Sequence, residues 1–160
     1  LRKIIEIDKI TQVMDLVAER PELQAVFFDI DNTLTASHSQ EVAQDVVDLL
    51  AALCNRRIKM ALISNNSKER VEKFAQSVGI PFYWLARKPL PFALHRAARD
   101  LGVTPSRCIF VGDQIITDIF AASLAGMEAV LVYPYSRASD SKWQNIFSRR
   151  IERHFFRRKI

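Results

Sequence analysis

A chain of 160 residues, 49% apolar and 26% charged, is long enough for one domain with a real hydrophobic core and too ordinary in composition for a disordered half. Its longest apolar runs, such as Ala25–Phe28 and Val130–Tyr133, are far too short to cross a bilayer. The net charge of +5 sits at one end: residues 1–136 carry 15 Lys/Arg against 16 Asp/Glu, and residues 137–160 carry 8 against 2, so any argument from basicity concerns the tail alone.

In chain order, residues 1–20 are expected to form an N-terminal helix, with Ile10, Val13, Met14 and Val17 at helical spacing and a stop before Pro21. Ala25–Ile30 reads as a strand buried on both faces. Glu41–Arg57 is an amphipathic helix and Lys59–Ile63 a second strand. Ser67–Val78 is a helix closed by Gly79, and Phe82–Leu85 a third strand. Leu90–Leu101 is a helix that stops at Gly102, and Cys108–Val111 a fourth strand. A helix over Ile115–Ala125 ends at Gly126, and Ala129–Tyr133 is the fifth strand. This alternation predicts an α/β fold: a five-stranded parallel sheet with helices on both faces. We expect one domain over residues 1–136, with a basic helical tail, 137–160, in the same globular unit. Cys54 and Cys108 form no CxxC pair and read as buried free thiols. With no secretory pattern at the start, they point to a reducing, cytoplasmic setting.

In a parallel sheet, ligands bind beyond the carboxyl ends of the strands. Here Asp29-Ile30-Asp31-Asn32-Thr33 follows the first strand, Ser64-Asn65-Asn66 the second, Arg87-Lys88 the third, and Gly112-Asp113 the fourth, with Asp118 five residues on. Asp29 and Asp31, two apart at a strand end, can face one side. Carboxylates held close repel unless a cation or proton intervenes. Oxygen ligands without a His or Cys cluster suit a hard ion, and phosphate chemistry favours Mg²⁺. A carboxylate is a competent nucleophile toward a phosphoryl group, and a second can move the proton. Ser64 can donate to a phosphoryl oxygen and Lys88 can offset developing negative charge. A set of bland readings stands beside these, in which the acids cap turns and Lys88 is a solvated surface residue.

These residues, in this order, resemble the four motifs of the haloacid dehalogenase superfamily of phosphohydrolases, over roughly residues 22 to 135. The resemblance implies that Asp29 is the nucleophile and Asp31 the general acid/base, and that Ser64, Asn65 and Lys88 hold the phosphoryl group. It also implies a Mg²⁺ site of Asp29, Asp113, Asp118 and Asp31, the last through its backbone carbonyl. Ile30-Asp31-Asn32-Thr33-Leu34, Arg87-Lys88-Pro89 and Gly112-Asp113-Gln114-Ile115-Ile116-Thr117-Asp118 look like the YqeG branch, as does the late Arg149-Arg150-Ile151-Glu152-Arg153 run. That branch is similar to the phosphatidylglycerophosphate phosphatases of mitochondria and plastids.

Only one helix and one strand fit between Thr33 and Ser64, and again between Ser64 and Lys88, so no inserted cap domain is expected. An open site suits a bulky phosphorylated substrate such as a phospholipid. In the tail, Ile151, Phe155 and Phe156 fall on one helical side among arginines. Such a helix can lie on an anionic membrane surface, pack on the domain or meet nucleic acid. Peripheral attachment to the inner face of the membrane is the favoured reading. Nothing outside the tail interleaves aromatic and basic residues as a nucleic-acid groove does. His38, in the polar loop Ala36–Gln40, is a candidate substrate-loop residue. Two rivals stay open: a phosphatase of a soluble metabolite, nucleotide or phosphoprotein, and a non-catalytic interaction module.

Overall fold

The computed structural model describes residues 4–134. The tail readings, on residues 137–160, lie outside the described residues.

Six parallel strands form one sheet in the order β1-β6-β5-β2-β3-β4. The strands are β1 (Ile4–Ile7), β2 (Ala25–Phe28), β3 (Lys59–Ile63), β4 (Phe82–Tyr83), β5 (Cys108–Gly112) and β6 (Glu128–Val132). The helices are α1 (Val13–Ala18), α2 (Gln44–Asn55), α3 (Lys68–Val78), α4 (Phe92–Leu101) and α5 (Phe120–Leu124). Strand β2 lies in the middle, with Phe28 opposite Leu62 of β3 on one side and Val111 of β5 on the other. A central parallel strand has no wet face, and all four β2 residues are buried. Val26 and Phe28 join the core formed with α1, α2 and α3. Ala25 and Phe27 point the other way, into the core shared with α4 and α5. The two-residue period of one strand thus feeds both layers. Gly79 and Gly102 close α3 and α4 in the left-handed conformation, where glycine carries no Cβ penalty. Among the described residues, no helix is long and apolar enough to cross a membrane.

The sheet has six strands, not five, and residues 1–20 are not one helix. Ile4–Ile7 adds as an edge strand, pairing Ile4 with Ala129 through to Ile7 with Val132. The helical turn begins only at Ile10, because the Gln12 side chain accepts from the backbone N–H groups of Asp8 and Lys9, each at 2.9 Å. Cys108 is buried as expected and its thiol is pushed up to about 11 by that burial. Cys54 is exposed, because the core-facing positions of its helix are Val46, Leu49, Leu50 and Leu53. The helix expected over Ile115–Ala125 opens with a wider π-helical turn, Ile115–Ile119, before α5.

Leu53 is fully buried on α2, whereas Val47 on the same helix is 43% exposed. Leu53→Ala is expected to cost about 2–5 kcal/mol. Val47→Ala should stay within about 0.5 kcal/mol. Urea unfolding of both variants measures the difference.

Candidate active site

Because every strand runs the same way, the ends of β2, β3, β4 and β5 meet on one edge. Asp29 leaves β2 there, its N–H donating to the Val111 carbonyl at 2.9 Å, which pins it beside β5. Lys88, six residues after the start of β4, reaches back beneath it and is buried. The Lys88 ammonium lies 2.6 Å from Asp29 Oδ1 and 2.7 Å from Asp118 Oδ1, and donates to the Ile63 carbonyl at 3.0 Å. Burial alone would pull the Lys88 pKa down, but Asp118 and Asp29 together outweigh it and hold the ammonium above its ordinary value.

Asp118 arrives from the π-helical turn after β5 and is buried. Its Oδ2 accepts from the Gln114 backbone N–H at 3.1 Å. It approaches Gly112 so closely that a Cβ there would overlap its carboxylate, so this strand end requires glycine. Asp29, Asp113 and Asp118 each bring a carboxylate oxygen to within 4.8 Å of the others. Asp113 Oδ1 is buried and has no hydrogen-bond partner. Burial, reinforced by Asp29 and Asp118 and opposed by Lys88, pushes the Asp113 carboxyl up to about 8. Burial also raises Asp29; Lys88 opposes it, and Asp118 and Asp31 add to it. Three crowded acids, one with an orphaned oxygen, are a donor set suited to a divalent metal.

Asp31 is placed otherwise. Its side chain lies outside the acid cluster, as a role through its backbone carbonyl allows. Asp31 Oδ1 accepts from the His38 backbone N–H and from Arg70 Nη2, each at 2.8 Å, and Oδ2 accepts from Asn66 Nδ2. Its backbone bends at once into a tight turn, where the Ile30 carbonyl accepts from Leu34 at 2.9 Å.

Ser64 is buried at the end of β3, and its hydroxyl oxygen accepts from the Asn66 N–H at 3.2 Å. Asn65 does something the sequence did not suggest. Its Oδ1 accepts from the Lys88 N–H at 2.8 Å and its Nδ2 donates to the Lys88 carbonyl at 3.1 Å. Its amide therefore clamps the Lys88 backbone. An open cleft of about 240 Å³ joins these groups, lined by Asp29, Asp31, His38, Ser64, Lys88 and Asp118 among others. Arg70 and Asn66 are the partners sequence reasoning missed. Nothing in the pattern of α3 separates Arg70 from its neighbours Lys68 and Lys73, and Asn66 reads as a turn residue.

A model of the haloacid dehalogenase-like hydrolase family matches residues 39–126. The chain is 31% identical over 131 residues to "Probable phosphatase YqeG" of Bacillus subtilis, covering 82% of this chain and 75% of that one. It is 35% identical over 101 residues to "Probable phosphoglycolate phosphatase" of Pseudomonas putida, covering 57% of this chain but only 40% of that longer protein. A hydrolase of this superfamily from Deinococcus radiodurans, solved with bound phosphate and sodium, superposes with a TM-score of 0.59. That match has 19% identity and covers 75% of this chain and 85% of the other, a likeness of fold. With the family model spanning more than half the chain and the Bacillus relative matching most of it, the chain belongs to the haloacid dehalogenase-like hydrolases, as a phosphatase of the YqeG type.

Proposed function

We propose that this phosphatase hydrolyses phosphomonoesters through an aspartyl-phosphate on Asp29, with Mg²⁺ as its metal. The observation that carries the reading is the buried Asp29–Lys88–Asp118 arrangement beside the unpartnered Asp113 oxygen. Asp29 Oδ attacks phosphorus as the ester oxygen leaves, and Asp31 gives that oxygen its proton. Asp31 then takes a proton from the water that hydrolyses the aspartyl-phosphate. Lys88 fixes the Asp29 carboxylate, and Asn65 fixes Lys88. Ser64 faces the cleft, where its hydroxyl donates to a phosphoryl oxygen. Asp29, Asp113 and Asp118 would hold the Mg²⁺, with the Asp31 carbonyl. The ion supplies positive charge against two anions brought together.

The substrate we propose is a phosphate on a lipid headgroup, phosphatidylglycerophosphate in particular. Residues 33–64 hold only a turn, α2 and β3, so no inserted domain roofs the cleft on that side. The second reading, a soluble phosphomonoester, is favoured by the name of the Pseudomonas relative. Turnover of phosphatidylglycerophosphate against phosphoglycolate and a nucleotide panel decides between them. Measurable hydrolysis of p-nitrophenyl phosphate overturns the non-catalytic module.

Asp29→Asn removes only the nucleophile's charge and is expected to lower kcat by at least about 10³-fold with the fold intact. Retention of a tenth of the activity would sink the assignment.

Gly112→Ala should push the Asp118 carboxylate off its position. We expect a loss of about 10²-fold in kcat, with about 1–3 kcal/mol of destabilisation. Wild-type kcat in a folded variant would contradict the close approach.

Metal binding should depend on pH with a definite sign. Asp113 titrates near 8 without metal, so below that pH a cation must displace a proton. Between the ordinary carboxylate range and pH 8, the metal-free protein also loses stability as these carboxyls ionise. Mg²⁺ should therefore raise Tm by about 5–11 °C at pH 8 when present at roughly 100 times Kd. The gain should shrink sharply at pH 5. Equal gains at both, in differential scanning calorimetry, would remove Asp113 from the metal site.

A further inference from the structure

Strand β4 runs out, at the same edge of the sheet as the acid cluster, into a segment whose apolar side chains face solvent. Trp84 is 43% exposed, Leu85 53%, Leu90 45% and Phe92 69%. Four large exposed hydrophobics within nine residues are not the scattered apolar exposure of an ordinary surface. The segment borders an open groove of about 540 Å³, whose described lining includes Trp84, Leu85, Phe92, Arg87 and Arg96 and no acidic residue.

The groove is tied to the phosphate cleft by the backbone. The Leu85 N–H donates to the Asn66 carbonyl and the Ala86 N–H to the Ser64 carbonyl, each at 3.0 Å. Leu85 and Arg87 both have φ in the left-handed region, at 43° and 54°, which disfavours side chains of this size. Between them Ala86 is buried, while Leu85 and Arg87 are held out in water. The next residue is Lys88, inside the cleft. A strained turn that turns out a leucine and an arginine has no role in the core.

We propose that the Trp84–Phe92 face docks on an anionic phospholipid surface and so brings a headgroup phosphate to the neighbouring cleft. The inference rests on the phospholipid reading above and adds the surface that meets the bilayer. Indole and aliphatic side chains insert at the headgroup boundary, and arginines beside them meet lipid phosphates. Charge complementarity selects this occupant. The chain's own last 24 residues carry 8 basic groups against 2 acids, the same sign as Arg87 and Arg96. A two-fold pairing of copies would set this cationic patch against itself.

The test uses the whole 160-residue chain with Trp143→Phe, which leaves Trp84 as its one tryptophan. With vesicles of phosphatidylglycerol and phosphatidylcholine, its emission should shift to the blue and the protein should co-sediment. Both effects should fade with salt and be absent on phosphatidylcholine alone. Leu85→Ser with Phe92→Ser, and separately Arg96→Glu, should cut the vesicle-bound fraction at least roughly tenfold. Neither should change p-nitrophenyl phosphate turnover by more than about twofold. No blue shift, or undiminished sedimentation of these variants, overturns the proposal. Loss of binding only when Arg149, Arg150 and Arg153 are replaced by serine places the contact in the tail and overturns it too. So does a wild-type dimer that the Phe92→Ser variant breaks in analytical ultracentrifugation. Hydrolysis of phosphatidylglycerophosphate dispersed in detergent is read in parallel. Failure there sinks the lipid substrate, while the vesicle assay still decides the docking face.

Discussion

The active edge is organised around one buried ammonium. Lys88 lies among Asp29, Asp118 and the Ile63 carbonyl, so each of its three donors meets an oxygen. A charge taken out of water is tolerated only when its partners are this complete. Three acids against one ammonium leave the cluster with two uncompensated negative charges when all are ionised. Burial first, and then the neighbouring acids, raise the carboxyls of Asp29 and Asp113 against the opposing pull of Lys88, so protons are one answer to that surplus. A single divalent cation is the other answer, and it leaves the carboxylates ionised. The same crowding therefore suits the cluster to a divalent cation, which on the proposed mechanism would keep Asp29 anionic.

Asp29 and Asp31 are two residues apart and live in different electrostatic surroundings. Asp29 faces Lys88 and the other acids. Asp31 faces the His38 N–H, Asn66 and Arg70, with Arg70 Nη2 at 2.8 Å. Two like groups in unlike settings can divide the work between nucleophile and proton carrier. The division depends on α3, which supplies Arg70, and on the Ser64–Asn66 turn, which supplies Asn66. The loop beyond Asp31 adds only a backbone donor, so the contact does not depend on the His38 ring.

Strands with two neighbours were legible in the sequence, because burial on both faces leaves a continuous apolar run: Lys59–Ile63 was read with the observed bounds. The acids were legible because each follows such a strand. Edge strand β1 was not, since Ile-Ile-Glu-Ile is short, pairs on one side only and runs into a helical pattern. Cys54 was misplaced because a thiol is apolar enough to suit either face of α2. The amide clamp of Asn65 and the ion pair of Arg70 were hidden for a deeper reason. They join residues 23 and 39 positions apart, and no local period encodes such a distance.

What the cleft can select follows from what borders it. With one helix and one strand between Thr33 and Ser64, and again between Ser64 and Lys88, no inserted domain closes over Asp29. Among the described residues nothing encloses the cleft on all sides, so the acids themselves offer recognition of little beyond a phosphoryl group. Discrimination must come from the rims. One is the short polar loop with Ser37 and His38. The other is the strained Leu85–Arg87 turn, with its apolar and cationic side chains facing outward. Exposed Trp84 and Leu85 beside Arg87 give this second rim an apolar and cationic character that the polar loop lacks. One cleft edge thus carries two rims of different chemistry, one polar and one apolar and cationic, and the turn that shapes the second is tied by backbone hydrogen bonds to Ser64 and Asn66.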